Sequence, residues 1–345
     1  MQGNTLQTVA RELAERLMLN IDNFIIFAFI VSVSFRANGF LLLKKISDKG
    51  VTKMKKVITT IVSVMLVSLL LVGAVFCFTG CQNKKDDSKL YVGMECGYAP
   101  FNYTQTDASN GAVKISNADG YANGYDVMIA KKIAEALGKE LVIVKYKFEA
   151  LIPAVNAKSL DMIIAGMSPT AERKEAIDFS DAYYTSQLVI VVRKDGAFAN
   201  ATKLADFKGA KIAAQIGTFH NDALQAQASK YGILPQTPMD TFPALINALK
   251  TKAIDGYVAE EPGAKADCAA NEELTYISLK NNDTGFTASP EDVQIAIGMI
   301  KNSSIREQVN AALAKISNDE RIKMMQDATY FATGKTVLPD PVPEE

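Results

Sequence analysis

The segment AGMSPTAER, residues 165–173, follows the apolar run DMII and sets Arg173 three positions after Thr170. Thr170 is a good helix N-cap and Glu172 lies in the first turn, so the stretch reads as strand, short loop, helix start. A guanidinium there faces the positive end of the helix dipole, which costs up to about 1 kcal/mol at an exposed site. Such an arginine calls for an anion. Its planar fork holds a carboxylate by two parallel hydrogen bonds in a way lysine does not; the plainer alternative is an ion pair with Glu172 or Asp178. Around it, small Ala165 and Gly166 let a ligand approach the chain closely, and Ser168 and the local N–H groups add donors. A second set of N–H donors is expected at QIGT, residues 215–218, where Gly217 and Thr218 stand between a strand and a helix. The chain has one histidine, His220, read as a surface or helix-start residue, and no CxxC or HExxH spacing. Zinc sites and histidine-based nucleophilic catalysis therefore have little to work with, and no metal or cofactor is expected.

The elements that must hold these groups alternate. LYVGM, YDVMIAKKIAEALG, LVIVKY, LIPAVNAKS and DMIIAGM form a β-α-β-α-β series with the spacing of an α/β sheet. In the first helix Val127, Ile129, Ala130, Ile133, Ala134 and Leu137 share one face, and Gly138 supplies the stop. After QLVIVVRK a second series runs through KIAAQI, a helix over NDALQAQASKYG, a turn with Pro235 and Pro238, the helix FPALINALKTK and the strand AIDGYVAE. VQIAIGM reads as a strand, and one long amphipathic helix is expected from Ser304 through Met325. The economical architecture is a two-lobed α/β molecule that the chain crosses twice.

With 345 residues and 48% hydrophobic content the chain can fill two domains plus targeting sequence. Residues 1–81 carry nine Lys/Arg against four Asp/Glu, so the remainder carries 28 against 34. An acidic body argues against nucleic acid as a partner. MKKVITTIVSVMLVSLLLVGAVFCFTGC, from Met54 to Cys81, has the basic start, apolar run and small residues of an export signal. Phe78-Thr79-Gly80-Cys81 resembles a bacterial lipobox, which implies a signal peptide over 54–80 and a diacylglycerol on Cys81; an uncleaved anchor is the alternative. Residues 81–89, polar and charged, read as a tether. A complete signal at Met54 suggests that residues 1–53 lie upstream of the true start. Cys96 and Cys268 are allowed a disulfide outside the cell, though their separation supplies no framework.

The order of six motifs resembles that of the extracellular solute-binding proteins of polar amino acid ABC transporters, with the type II periplasmic-binding-protein fold. They are GYAPFNY (97–103), NGYDVMIAKKIAEALG (123–138), FEALIPAV (148–155), DMIIAGMSPTAERKEAIDFSDAYY (161–184), QIGT (215–218) and AIDGYVAEEP (253–262). The resemblance implies one lobe from residues 90–185 and 285–340 and another from 186–284. Crossings near DAYYTSQ and LKNNDTG would form the hinge.

It also implies the site. Arg173 would hold the α-carboxylate of a free amino acid, with Ala165, Gly166, Ser168 and the backbone at Gln215, Thr218 and Phe219. Relatives commonly have Thr or Gly where this chain has Phe219, so only the backbone contact is carried over there. Glu260, where relatives have aspartate, would meet the ammonium, with Glu261 as the alternative. Tyr98 and Phe148 would sandwich the ligand's aliphatic stem, Phe101 would be core, Asp126 structural, and Gln294 a further lining residue. Glu95, an acid in a water-poor cleft, favours lysine or arginine over an apolar ligand, with glutamine or cystine as alternatives. An enzyme of this fold would need an acid or base among Glu95, Glu260 and Glu261, all of which already have binding roles. The implied protein is a monomeric, lipid-anchored, extracytoplasmic partner of a membrane permease, and not an enzyme.

Overall fold

The computed structural model of the protein describes residues 85–279 and 284–336. The expected signal peptide, Cys81 and residues 1–53 lie outside the described residues, as does the middle of the second crossing.

Residues 85–88, part of the expected tether, pack on the body: Lys85 pairs with Asp161 at 3.0 Å and Asp86 accepts from Ser88. The chain then forms β1 (Lys89–Met94), β2 (Gly97–Tyr98), β3 (Asn102–Gln105), β4 (Val113–Lys114), β5 (Tyr121–Asn123), α1 (Tyr125–Ala136), β6 (Glu140–Lys145), α2 (Leu151–Asn156), β7 (Met162–Ile163), α3 (Ala171–Ala176) and β8 (Asp178–Thr185). α1 follows its apolar spacing, burying Val127, Ile129, Ala130, Ile133 and Ala134, and Gly138 takes the left-handed φ of +65° that the chain needs to turn away. β1 is mostly buried and runs parallel to β6 and β7, which is why its sequence is nearly all apolar.

After two residues, Ser186 and Gln187, the chain enters a second sheet with β9 (Leu188–Arg193), β10 (Lys211–Ala213), α4 (Phe219–Tyr231), β11 (Leu234–Pro235), α5 (Phe242–Lys250), β12 (Gly256–Glu260), α6 (Glu261–Ala270) and β13 (Leu274–Ser278). It returns as β14 (Gln294–Met299), α7 (Arg306–Leu313) and α8 (Asn318–Thr333).

The two main sheets have strand orders β6-β1-β7-β14-β8 and β11-β10-β12-β9-β13. Each has three parallel strands, then one antiparallel strand arriving from the other lobe: β14 in the first, β9 in the second. The core of the second lobe holds Ile190, Val192, Phe207, Ile212 and Val258.

Two features depart from the sequence expectations. A four-stranded antiparallel sheet, β2-β3-β5-β4, occupies residues that were assigned no element. The long C-terminal helix is two helices, because Ser317 caps a new one by accepting from the Glu320 N–H at 3.2 Å. Among the described residues no helix is long and apolar enough to cross a membrane.

Candidate functional site

The chemically marked residues follow the carboxyl ends of the parallel strands in both sheets, the edge where ligands bind in open α/β folds. β1 delivers Glu95 and Tyr98, β6 Phe148, and β7 the loop Gly166, Ser168 and Arg173. From the second sheet, β10 delivers Gln215, Gly217 and Thr218, β11 is followed by Phe242, and β12 ends on Glu260.

Thr170 caps α3 as its sequence predicts, its hydroxyl accepting from the Arg173 N–H at 3.3 Å. The Arg173 side chain turns back from the helix. Nη1 donates to the Ser168 carbonyl at 2.8 Å, Nη2 donates to the Gly217 carbonyl of the other lobe at 3.0 Å, and the guanidinium lies 5.2 Å from the Phe148 ring centroid. Burial pushes its pKa down to about 10, with Asp222, Glu172 and Glu260 pulling it back up, so it stays a cation at neutral pH.

Glu260, 3% exposed, accepts from the Tyr98 hydroxyl at 2.5 Å through Oε2, while its Oε1 is 3.9 Å from His220 Nε2. Glu261 is also buried but turned elsewhere, accepting from Gln187 and pairing with Lys265 at 3.5 Å. Tyr98 and Phe148, implied to sandwich the ligand's stem, both line the same cavity, each with partners of its own. Tyr98 stacks on Phe101 at 5.1 Å and on Phe242 at 4.3 Å, and Phe148 faces Arg173. Gly166 makes room for that ring: its φ is +60° and an added Cβ would sit 3.1 Å from Tyr98 Cε1. Asp126 is fully buried and accepts from Tyr183 and Asn102, both at 2.7 Å. Burial pushes its pKa up to about 7 against those bonds.

A cavity with about 290 Å³ of empty space, its open mouth included, lies where the two lobes meet. Tyr98, Phe148, Gly166, Ser168 and Arg173 line it from the first lobe; Gln215, Thr218, Phe219, His220 and Phe242 line it from the second.

Four of the expected residues do not line this cavity. Ala165 is buried in the first-lobe core, and Glu260 sits behind Tyr98 and His220. Glu95 borders a neighbouring groove, its Oε2 accepting from Gln215 Nε2 at 2.8 Å. Burial pushes its pKa up to about 7, the Gln215 bond and Lys145 acting the other way. Gln294, expected as a lining residue, borders a separate groove beside Asp178 and Lys301, where it opens β14 opposite Thr185 of β8.

His220 is not a surface residue. It is 6% exposed, packs edge-on to Phe242 and leaves Nδ1 without a hydrogen-bond partner. Its position directly after QIGT at a helix start was the available signal. Phe242 had none, since it reaches the site only when the lobes meet. Cys96 and Cys268 are free thiols. Among the described residues no group of three His, Cys, Asp or Glu side chains is placed to hold a metal ion.

Two α/β lobes joined by crossing strands, with a cation on one wall of the shared cavity and a carboxylate behind the other, define a two-lobed binding protein. The chain belongs to the bacterial extracellular solute-binding proteins, family 3, whose model matches residues 90–332. It is 28% identical over 265 residues to the arginine-binding extracellular protein ArtP of Bacillus subtilis, a match covering 75% of this chain and 95% of that one. It is 32% identical over 247 residues to a probable histidine-binding protein of Campylobacter jejuni, covering 67% and 89%. Among solved structures, the amino acid ABC transporter substrate-binding protein AbpA from Streptococcus pneumoniae, bound to L-arginine, aligns with a TM-score of 0.61 at 25% identity, covering 74% of this chain and all of that one.

Proposed function

We propose that the protein binds a free basic L-amino acid, arginine or lysine, between its lobes and hands it to the membrane permease of an ABC transporter. The observation that carries this reading is the set of charges gathered where the two lobes meet. Arg173 supplies a cation, Glu260 a carboxylate, and Glu95 offers a second, buried carboxylate. An amino acid with a cationic side chain presents the complement of these three charges.

In this reading Arg173 takes the α-carboxylate by a bidentate bond, with N–H donors from the loop at Thr218 and Phe219. Glu260 and the Gly166 carbonyl take the ammonium. The Arg173–Gly217 and Tyr98–Glu260 bonds are then exchanged for bonds to ligand as it enters, and contacts with both lobes favour the closed form. Support comes from the relatives, several of which are named for arginine and one for histidine, while others are named for cystine or glutamine, the alternatives in the same role. A lipid on Cys81 would hold the monomer at the outer face of the membrane.

Thermal-shift screening of the protein against the common amino acids tests the reading, because a ligand that binds only the folded state raises its stability by mass action. A clear rise with arginine or lysine is expected, and no rise with any amino acid would overturn it.

A further inference from the structure

The groove that Glu95 borders is larger than the cavity, about 1300 Å³ with its open mouth included. It runs between the β1–β2 loop, β3 and the end of β6 on one side and the start of α5 on the other. Two buried polar atoms at it have no partner: Oε1 of Glu95 and the hydroxyl of Tyr103. A carboxylate that is 5% exposed and lacks a partner on one oxygen is costly unless a cation or donor meets it. The walls are mostly apolar, with Ala99, Phe242, Pro243 and Ile246 beside the polar Thr104, Thr241 and Asp267.

The cavity and the groove adjoin. Phe242 borders both, and Gln215, which lines the cavity, donates to the other oxygen of Glu95. A side chain leaving the cavity past Gln215 therefore arrives at Glu95 with open, apolar-walled space beyond it. We propose that this groove receives the distal end of the ligand, so that the site takes basic amino acids alkylated on the terminal side-chain nitrogen, with ω-N-methylated arginines as the type.

This rests on the basic amino acid reading above and adds the substituent. Methylation keeps the guanidinium charge for Glu95 and removes an N–H that the open groove does not need. The methyl groups meet Pro243 and Ile246. Of the other charged residues lining the groove, Lys147 is paired with Asp240 at 2.6 Å and Asp267 accepts from Tyr257, which leaves Lys145 to disfavour a second cation, so the substituent is a neutral alkyl group.

The test is calorimetric titration of the full chain with arginine, ω-N-monomethylarginine, asymmetric ω-N,N-dimethylarginine and α-N-methylarginine. A closed pocket discriminates one methylene by roughly 10–200-fold. Here the ω-methylated forms are expected within about fivefold of arginine, with α-N-methylarginine weakened at least about thirtyfold. Loss of more than about fivefold on ω-methylation overturns the proposal. Ile246→Trp, which fills the groove wall, is expected to weaken dimethylarginine at least about tenfold while leaving arginine within about threefold. Equal weakening of both counts against the groove, and the unmodified chain decides the matter if that variant fails to fold. If neither arginine nor lysine binds, the functional reading itself has failed and this inference falls with it; binding of arginine with rejection of its ω-methylated forms removes the inference alone.

Discussion

The hydroxyl of Tyr98, in the first lobe, donates a 2.5 Å hydrogen bond to Oε2 of Glu260, in the second. The carboxylate assigned to the ligand's ammonium thus already has a partner from its own chain. Tyr98→Phe keeps the ring stacked on Phe242 and removes the competitor. A hydrogen bond to a charged group contributes about 1.5–3 kcal/mol, and part of that returns to the ligand. We expect arginine affinity measured by calorimetry to be unchanged or up to about tenfold tighter, whereas Tyr98→Ala, which also removes the stacking surface, weakens it.

Arg173 and Glu260 supply the opposite charges of the site. Arg173→Lys keeps the charge but loses the two-pronged geometry, and Arg173→Ala loses both. Removing one partner of a desolvated charge pair costs about 2–5 kcal/mol, so Arg173→Ala and Glu260→Gln should each weaken ligand binding by at least about thirtyfold. Arg173→Lys should fall between Arg173→Ala and the unaltered protein. Circular dichroism separates this from loss of fold.

Glu95 ties binding to pH. Burial raises its pKa to about 7 from 4.5, so between those values the folded chain holds a proton that the unfolded chain has released. Its contribution to stability is therefore present at low pH and lost as pH rises through 7. Binding of a cationic side chain has the opposite sign, since it needs the carboxylate form. We expect the dissociation constant for arginine to improve from pH 5.5 to pH 8, and Glu95→Gln to flatten that profile. Asp126, whose pKa is also raised to about 7, tilts stability the same way but stays in the variant, so the difference between the two profiles isolates Glu95.

Gly166 and Gly138 form a matched pair for a backbone test. Both have positive φ, +60° and +65°, but a Cβ at Gly166 meets Tyr98 while nothing lies within 4 Å of one at Gly138. Each alanine substitution should cost about 1 kcal/mol or somewhat more in thermal unfolding. Only Gly166→Ala should also change ligand affinity, because it displaces the Tyr98 ring.

The proposed lipid anchor rests on Cys81. Cys81→Ser is expected to move the protein from the membrane fraction to the soluble extracytoplasmic fraction, or to leave an uncleaved precursor, on fractionation and immunoblotting. An unchanged membrane fraction of mature size would remove the lipid from the reading.

What could be read in the sequence was local. The N-cap at Thr170, the apolar face of α1 and its stop at Gly138, and the turn at QIGT each encode their own geometry within a few residues, and the structure reproduces them. The Ser-x-x-Glu signal at Ser317 was equally local, but the apolar spacing on both sides of it dominated the expectation. The antiparallel sheet was invisible for another reason: its strands are two to four residues long and too short to show alternation. Phe242 and His220 were missed because their roles depend on partners from distant parts of the chain. Nothing near Phe242 in the sequence announces that Tyr98 will stack on it.

In the first sheet β14 lies between β7 and β8, although both of those strands precede it by more than a hundred residues. The second sheet has no such debt to later sequence, since β9 through β13 follow one another along the chain. The inserted lobe can therefore pair all its own strands before β14 exists, while the first sheet has a gap at its centre until that strand arrives. The last strand to arrive therefore serves as a keystone, and the lobe begun first is the one finished last.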